Sequence, residues 1–168
     1  MTPSEPSQTT ASPLGATNWT PMPHPTDCKI CGMLDATPPE DVVLSGHHWA
    51  VVAMQDVPGM LMLIARAHDN GIGSVPDAAA AQLGSLIKTL ASRLETNGRF
   101  ERTSVIYLGD NAVHTHFMLL GRPPGDDRIF DNAPLLARFG RKDRDRSRAI
   151  AAELRDACES FIANRNQS

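Results

Sequence analysis

The chain contains 168 residues, carries a formal net charge of −3, and has 41% hydrophobic and 21% charged residues. This size and balance predict one globular domain with a substantial core. The small acidic charge provides no attraction toward nucleic acid or an acidic membrane surface, so we expect neither as a partner.

The cysteine count and the apolar segments indicate a cytoplasmic protein. The 3 cysteines are an odd number for a secreted disulfide scaffold, and a chain of this length does not need disulfides to fold. Residues 1–19 lack the basic and apolar regions of a signal peptide. No apolar run approaches the ~20 residues that span a membrane. We therefore expect a soluble protein in the reducing cytoplasm.

Composition divides the chain into three regions. Residues 1–25 are rich in proline, serine and threonine and show no hydrophobic periodicity, which predicts a flexible tail. Residues 26–125 have the alternating apolar segments of a folded domain. Residues 126–168 begin with a basic, irregular arm at 127–144 and end with an amphipathic helix over about 145–164.

Short β-branched segments in the middle region predict a sheet. Three of them, at residues 42–46, 48–54 and 59–68, are joined by links too short for crossover connections, which predicts antiparallel neighbours. A second pair of strands is predicted over 102–110 and 113–121, with a Gly-Asp-Asn turn between them.

A long helix is predicted between the two groups of strands, over residues 75–96. Ser74 and Asp77 have the spacing of a capping box, and Asn97-Gly98 is a typical helix end. Apolar residues recur at helical spacing between these ends: Ala79, Leu83, Leu86, Leu90 and Leu94. The sequence thus predicts an α+β fold, in which an antiparallel sheet carries this long helix on one face and a C-terminal helix is added.

Two histidines stand one residue apart in the last predicted strand. Because side chains alternate between the faces of a strand, we expect His114, His116 and Met118 on one face. Near neutral pH an imidazole can act as a nucleophile, a general base or a metal ligand. For an isolated His-x-His pair, the alternative is that both rings satisfy hydrogen bonds in the core or at a solvated sheet edge.

The segment HTHFMLLGR (114–122) resembles the signature of the histidine-triad (HIT) nucleotide hydrolases and transferases, which reads His-x-His-x-His followed by apolar residues. The N-terminal half is also similar to that family. A Cys-x-x-Cys pair, Cys28 and Cys31, opens a run of strands, and the basic segment ARAHDNGI, with His68, precedes the long helix. The resemblance covers residues 28–124 and implies a HIT-like fold.

The resemblance also implies roles for individual residues. His116 falls at the histidine that attacks the α-phosphorus of a nucleotide and forms a covalent nucleotidyl-histidine. His114 falls at the first histidine, which orients the site, touches phosphate or binds metal. His68 falls at the separate histidine that supports the triad. Asn111 lies in the turn where the family places polar groups around the phosphate.

This sequence departs from the family pattern at the third triad position, which is Met118. Relatives have a histidine or glutamine there that hydrogen-bonds near the scissile phosphate, whereas a thioether has no proton to donate. We therefore expect activity that is reduced, redirected or absent. Gln55 or Asp56 takes the place of the acidic residue that holds the ribose in relatives. Arg122 is either a phosphate contact or a surface arginine beside the Pro-Pro turn.

The Cys-x-x-Cys pair supplies half of a tetrahedral zinc site. In zinc-containing relatives the remaining ligands come from the histidine before the helix and from the triad strand. The resemblance thus implies Cys28, Cys31, His68 and His114 as ligands of a structural zinc ion, with His116 left free. The alternatives are two buried thiols without a metal and a redox pair, although no thioredoxin-like βαβ segment surrounds the motif.

Three functions remain open from the sequence. The first is a HIT-type nucleotide hydrolase or transferase that cleaves a nucleoside phosphoramidate or a dinucleoside polyphosphate at the α-phosphate through a nucleotidyl-histidine. The second is a degenerate, non-catalytic protein of the same fold that binds a nucleotide or a protein partner. The third is a zinc-dependent hydrolase. The resemblance further implies a twofold homodimer.

Overall fold

The computed structural model describes residues 27–54, 56–68, 71–107, 109, 112–125 and 142–163. The predicted tail at 1–25 and the predicted arm up to residue 141 lie outside these ranges, so both stay predictions. No helix in the described part of the chain is long and apolar enough to cross a membrane.

A five-stranded sheet forms the centre of the protein, in the order β1-β2-β3-β5-β4, and every neighbouring pair is antiparallel. Its strands are β1 (Val42–Ser45), β2 (Trp49–Ala53), β3 (Met60–Ala65), β4 (Arg102–Tyr107) and β5 (His116–Arg122). The order places β5 between β3 and β4, although β4 directly precedes it in the chain. β5, which begins at His116, is therefore a central strand, and its first residues lie beside the end of β3.

In the described ranges, three α-helices accompany the sheet: α1 (Lys29–Asp35), α2 (Asp77–Glu95) and α3 (Arg144–Ala163). The predicted α+β fold is confirmed, including the long helix on the sheet and the C-terminal helix. The cysteine pair does not open a run of strands, because Cys31 lies in α1 and Cys28 immediately precedes that helix. The strands begin only at Val42.

The two faces of the sheet carry different partners. Alternate residues of the central strands, such as Val51, Leu63 and Leu119, form one core with the apolar sides of α2 and α3. The residues between them face the other way, where Ile30 and Leu34 of α1 pack against them. Burying these side chains on both faces supplies the main favourable free energy of folding. His116 and Met118 have the parity of the α1 face.

The start of α2 differs from the prediction, while its end agrees with it. Ser74 does not cap the helix. Its hydroxyl donates a hydrogen bond to the carbonyl oxygen of Gly71 (3.2 Å) within a short 3-10 turn, and α2 starts after Pro76 without a side-chain cap. Asn97 and Gly98 adopt φ angles of 60° and 67°, which terminate the helix as expected.

The C-terminal helix is fastened to the first edge strand by arginine side chains. Nε of Arg155 donates a hydrogen bond to the carbonyl oxygen of Val42 (2.6 Å). Arg148 pairs with the carboxylate of Asp41, at 2.8 Å from Nε to Oδ1. These contacts, together with buried Ile150, Leu154 and Cys158, hold α3 beside α2 on one face of the sheet.

Candidate functional site

The pairing of β3 with β5 brings the candidate residues together. Ile64 is the pairing partner of His116, so the end of β3 and the start of β5 lie side by side. His68 follows the end of β3 and His114 precedes the start of β5, so the two imidazoles meet at this corner. Their ring centroids are 5.0 Å apart in an edge-to-face arrangement.

The thiols of α1 face these two imidazoles. The Sγ atom of Cys31 lies 3.3 Å from Nδ1 of His114 and 3.6 Å from Nδ1 of His68. The Sγ atom of Cys28 lies 3.5 Å from Nδ1 of His114. One donor atom from each of the four residues lies within 4.8 Å of all the others. Two sulfur and two nitrogen donors at one point are the ligand set of a structural zinc site.

A hydrogen bond on the far side of its ring sets the tautomer of His114. Nε2 lies 2.8 Å from the carbonyl oxygen of Ala65, and a carbonyl oxygen can only accept. Nε2 therefore carries the proton, and the lone pair of Nδ1 points toward the cysteines. A backbone acceptor on the second nitrogen is the usual way in which a metal-ligating histidine is oriented. The residues present thus fit a zinc ion.

The Cys31 thiol is not a thiolate when the site holds only protein atoms. Burial, with a further contribution from the neighbouring Cys28 thiol, raises the pKa of Cys31 to about 12. Desolvation opposes the charged form, which a bound cation would favour instead. All three cysteines are free of disulfides in the described part of the chain, so the cluster is in the reduced form that metal binding requires.

His116 is oriented by the backbone of His114. Its Nδ1 lies 2.7 Å from the His114 carbonyl oxygen, so Nδ1 carries the proton and Nε2 holds the lone pair. The His116 side chain is half-buried at the start of β5. In the uncharged form of the ring, this hydrogen bond leaves Nε2 as the nitrogen that is able to attack an electrophile.

Met118 is the next residue of β5 on the same face, and its surroundings are apolar. Its pairing partners are Met62 in β3 and Ile106 in β4. The half-buried Met118 side chain packs against the apolar cluster beneath α1 and against a second cluster formed by Val57, Met60 and Leu120. The thioether beside the His116 imidazole thus forms part of an apolar strip of the sheet.

The structure separates Arg122 from the histidines. Arg122 ends β5, six residues beyond His116, which corresponds to roughly 20 Å along an extended strand. Its guanidinium pairs with the carboxylate of Glu101, at 2.8 Å from Nη2 to Oε1. Arg122 therefore does not belong to the group around His116, because the strand carries it to the opposite end of the sheet.

The other predicted substrate contacts divide into two cases. Asp56 lies in the turn between β2 and β3, at the end of the sheet away from His116, and its carboxylate is 3.3 Å from Nε of Arg144. Gln55 and Asn111 lie outside the described residues, so their roles stay predictions.

Two contacts at the site were not anticipated from the sequence. One is the hydrogen bond from His114 to the Ala65 carbonyl oxygen. Its acceptor is a backbone atom, which the sequence does not reveal. The other is the hydroxyl of Tyr107 at the end of β4, which accepts a hydrogen bond from the backbone N–H of Ile72 (3.1 Å). This second contact ties the segment after His68 to the sheet. Its only signal was an aromatic residue at a strand end.

Comparisons with known proteins identify the fold. No protein-family model matches the chain, and no curated protein matches it. Solved structures do. A zinc-bound histidine triad family protein from Mycobacterium smegmatis is similar with a TM-score of 0.58 and 16% identity, over 82% of this chain and 97% of that protein.

Two further structures show the same likeness. A hypothetical histidine triad nucleotide-binding protein from Sulfolobus tokodaii has a TM-score of 0.55 and 15% identity, over 83% of this chain and 97% of its own. The diadenosine triphosphate hydrolase of Plasmodium falciparum, solved in complex with cyclomarin A, has a TM-score of 0.52 and 10% identity, over 74% and 80%. The chain therefore has the fold of the HIT proteins.

Proposed function

We propose that this protein is a HIT-type nucleotide hydrolase or transferase that works through a covalent nucleotidyl-His116 intermediate. The observation that carries the proposal is the hydrogen bond between Nδ1 of His116 and the His114 carbonyl oxygen (2.7 Å), which leaves the Nε2 lone pair of His116 available for attack. The HIT fold supports it, because solved proteins of this fold include one described as nucleotide-binding and one described as a diadenosine triphosphate hydrolase.

The proposed chemistry has two displacements at one phosphorus atom. Nε2 of His116 attacks the α-phosphorus, an N–P bond forms, and the bond to the leaving group breaks with its electron pair on that group. Water or another hydroxyl acceptor then attacks the same phosphorus and loses a proton to the solvent, and the N–P bond breaks with its electron pair returning to Nε2 of His116. The backbone carbonyl of His114 stabilises the ring while it carries positive charge, since it holds the Nδ1 proton throughout.

Zinc is proposed as a structural ion held by Cys28, Cys31, His68 and His114. Four protein donors would complete a tetrahedral shell, whereas hydrolytic zinc keeps a position open for water. The number of protein donors therefore favours a structural role for the zinc ion over a catalytic role in a zinc-dependent hydrolase. When bound, the ion would neutralise two thiolates and hold α1 against the strand that carries His116.

The protein is proposed to form a homodimer and to be located in the cytoplasm. β4 is an edge strand of the sheet, and Val105 on it is 43% exposed. The Glu95 carboxylate accepts a hydrogen bond from the Thr103 N–H of this strand (2.7 Å), and the exposed apolar side chain of Val105 beyond it is a surface that a second copy can cover. The cytoplasmic location is proposed on the three free cysteines, because a site with two thiol ligands needs a reducing compartment.

A non-catalytic nucleotide-binding protein is the second candidate, and Met118 favours it. The thioether beside His116 cannot donate a hydrogen bond to a phosphate oxygen. Removing one such donor from a site of charge development typically lowers the rate 10²–10³-fold. Under this alternative the fold holds a nucleotide without turnover.

Steady-state hydrolysis and equilibrium binding separate the two candidates. Wild type and His116→Ala are assayed with diadenosine triphosphate and with adenosine 5′-phosphoramidate, and AMP binding is measured by calorimetry. Release of AMP by wild type alone supports the enzyme. AMP binding by both proteins without turnover supports the second candidate.

A further inference from the structure

We propose that the site is restricted to nucleotidyl substrates whose leaving group departs as a stable anion, as the carboxylate or phosphate of a nucleotidyl anhydride does. Nucleoside phosphoramidates of alkylamines and simple alkyl esters are excluded as efficient substrates. This inference rests on the proposed function and narrows its substrate class. It is carried by the position and the neighbours of Met118.

Met118 is the next residue of β5 whose side chain lies on the same face of the sheet as His116. Two residues along a strand correspond to roughly 6.6 Å between Cα atoms, which places a side chain at this position beside the bonds that break at a phosphorus held on His116. Met118 is half-buried there rather than turned out to solvent.

Among the residues that the structure describes, the strands on either side add no proton donor to the row that contains Met118. Met62, the neighbour in β3, is 7% exposed and pairs in turn with Val52 of β2. On the other side the neighbour is Ile106 of β4. The row across four strands is thus Val52, Met62, Met118 and Ile106. Alkyl groups form no hydrogen bonds and a thioether sulfur is only a weak acceptor, so none of these four side chains can donate a proton.

The absence of a donor in this row determines which groups can leave. As Nε2 of His116 forms its bond to phosphorus, the breaking bond delivers its electron pair to the leaving atom. Without a proton at that moment the group must depart as an anion. A carboxylate (pKa about 4) or a phosphate (second pKa about 6) is stable in that form at neutral pH. An alkylamine would have to leave as a strongly basic amide anion unless it gained a proton, since even the neutral amine is basic (ammonium pKa about 10).

The apolar strip affects anhydrides much less than phosphoramidates. A positioned general acid typically contributes 10²–10⁴-fold to a step that needs one, and a step with a stable anionic leaving group gains little from it. The substitution of a thioether for a donor therefore removes activity selectively. Anhydrides retain most of their reactivity toward His116, and phosphoramidates lose it.

The test compares the first chemical step across leaving groups. Full-length protein is mixed in excess with diadenosine triphosphate, with the N-propyl phosphoramidate of AMP, and with the 4-nitrophenyl and phenyl esters of AMP. Formation of the adenylyl adduct is followed by quenched intact-mass spectrometry. The two aryl esters are nearly isosteric and differ in leaving-group acidity, so their ratio isolates the need for a proton.

We expect adduct formation from diadenosine triphosphate and from the nitrophenyl ester. The phenyl ester and the phosphoramidate are expected to react at least about 100-fold more slowly than the nitrophenyl ester, in line with an unassisted leaving group. Met118→His is expected to raise the ratio of the phosphoramidate rate to the nitrophenyl rate by about 10-fold or more. Met118→Leu, the matched apolar control, keeps the wild-type ratios.

The results that overturn the inference differ from those that overturn the proposed function. Wild type that forms adduct from the phosphoramidate as fast as from the nitrophenyl ester contradicts the inference and leaves the nucleophile in place. No adduct from any of the four compounds contradicts the proposed function, and the inference with it. The wild-type series decides between these results even if Met118→His does not fold.

Discussion

Nδ1 of His114 lies 3.3 Å from the Cys31 sulfur, while the backbone carbonyl oxygen of the same histidine lies 2.7 Å from Nδ1 of His116. The residue that faces the thiols therefore also orients the candidate nucleophile. Two sites that look separate in the sequence thus share His114, and we expect a change at the cysteine cluster to affect the orientation of the His116 ring through the His114 carbonyl.

The first prediction concerns the metal. Cys31→Ala is expected to abolish zinc binding, because it removes a sulfur donor from the centre of the cluster. We expect its melting temperature to fall by roughly 10 °C, the shift for ~3 kcal/mol of lost binding free energy in a domain of this size. Zinc content is measured by elemental analysis and the melting temperature by calorimetry.

Cys158→Ala is the matched control for that variant. Cys158 is also a fully buried thiol, at 0% exposure, but it lies among the apolar residues between α3 and the sheet. Burial alone raises its pKa to about 11. We expect Cys158→Ala to bind as much zinc as wild type. Equal zinc content in wild type and Cys31→Ala contradicts the proposed ligand set.

The second prediction concerns acid. Burial, assisted by the neighbouring His47 ring at 4.6 Å, lowers the pKa of His48 below its ordinary value of 6.5. As the pH falls through 6.5, the unfolded chain binds more protons at His48 than the folded chain does, so the free energy of unfolding falls with the pH. We expect the urea midpoint of His48→Gln to depend less on pH between 7 and 5 than the wild-type midpoint.

His47→Gln provides the comparison for His48. Because burial is the larger cause of the lowered pKa and His47 the smaller one, this variant is expected to retain most of the wild-type pH dependence. Parallel midpoint curves for wild type and His48→Gln show instead that His48 does not contribute.

The third prediction tests the packing at the far end of the sheet. A Cβ atom at Gly121 in β5 would lie 2.6 Å from Cγ of Phe100, and Phe100 is buried. We expect Gly121→Ala to lower the free energy of unfolding by ~1–3 kcal/mol, since the ring must move. Urea denaturation measures the change.

Gly84→Ala is the control with the opposite expected sign. Gly84 is exposed in the interior of α2, and a Cβ atom there meets nothing within 4 Å. Replacing a helix-interior glycine by alanine stabilises by up to ~1 kcal/mol. Equal effects of the two substitutions contradict the described position of Phe100 over β5.

The fourth prediction concerns assembly. If β4 pairs with a second copy, a charge at Val105 is placed in the interface, and Val105→Lys is expected to be monomeric. Val113→Lys, at a valine that is 62% exposed outside the strands, is expected to remain dimeric. Light scattering after gel filtration gives the mass of each. A monomeric wild type contradicts the proposed dimer.

The parts of the fold that the sequence predicted are those with a local repeating pattern. α2 follows from apolar residues at helical spacing, and the central strands follow from β-branched runs between turns. α1 has only seven residues, too few for a repeat, so its helical state had no local signal. Ser74 matched a capping box by spacing, but it belongs to the preceding 3-10 turn.

The candidate site was predictable only through the resemblance of its motifs. Periodicity placed His116 and Met118 on one face, but it contained nothing about β3 lying beside β5. The contact between His114 and the Ala65 carbonyl joins residues 49 positions apart. Arg122 is close to the two histidines in the sequence, but the extended strand β5 separates it from His116 in space.

The nucleophile is tested most directly by intact-mass spectrometry of wild type and His116→Ala, quenched early after mixing with diadenosine triphosphate. We expect an adenylyl adduct on wild type that maps to His116 and decays as AMP appears. His116→Ala, with an unchanged melting temperature, forms neither adduct nor AMP. An adduct on another residue, or AMP release by His116→Ala at the wild-type rate, contradicts the assignment of His116 as the nucleophile.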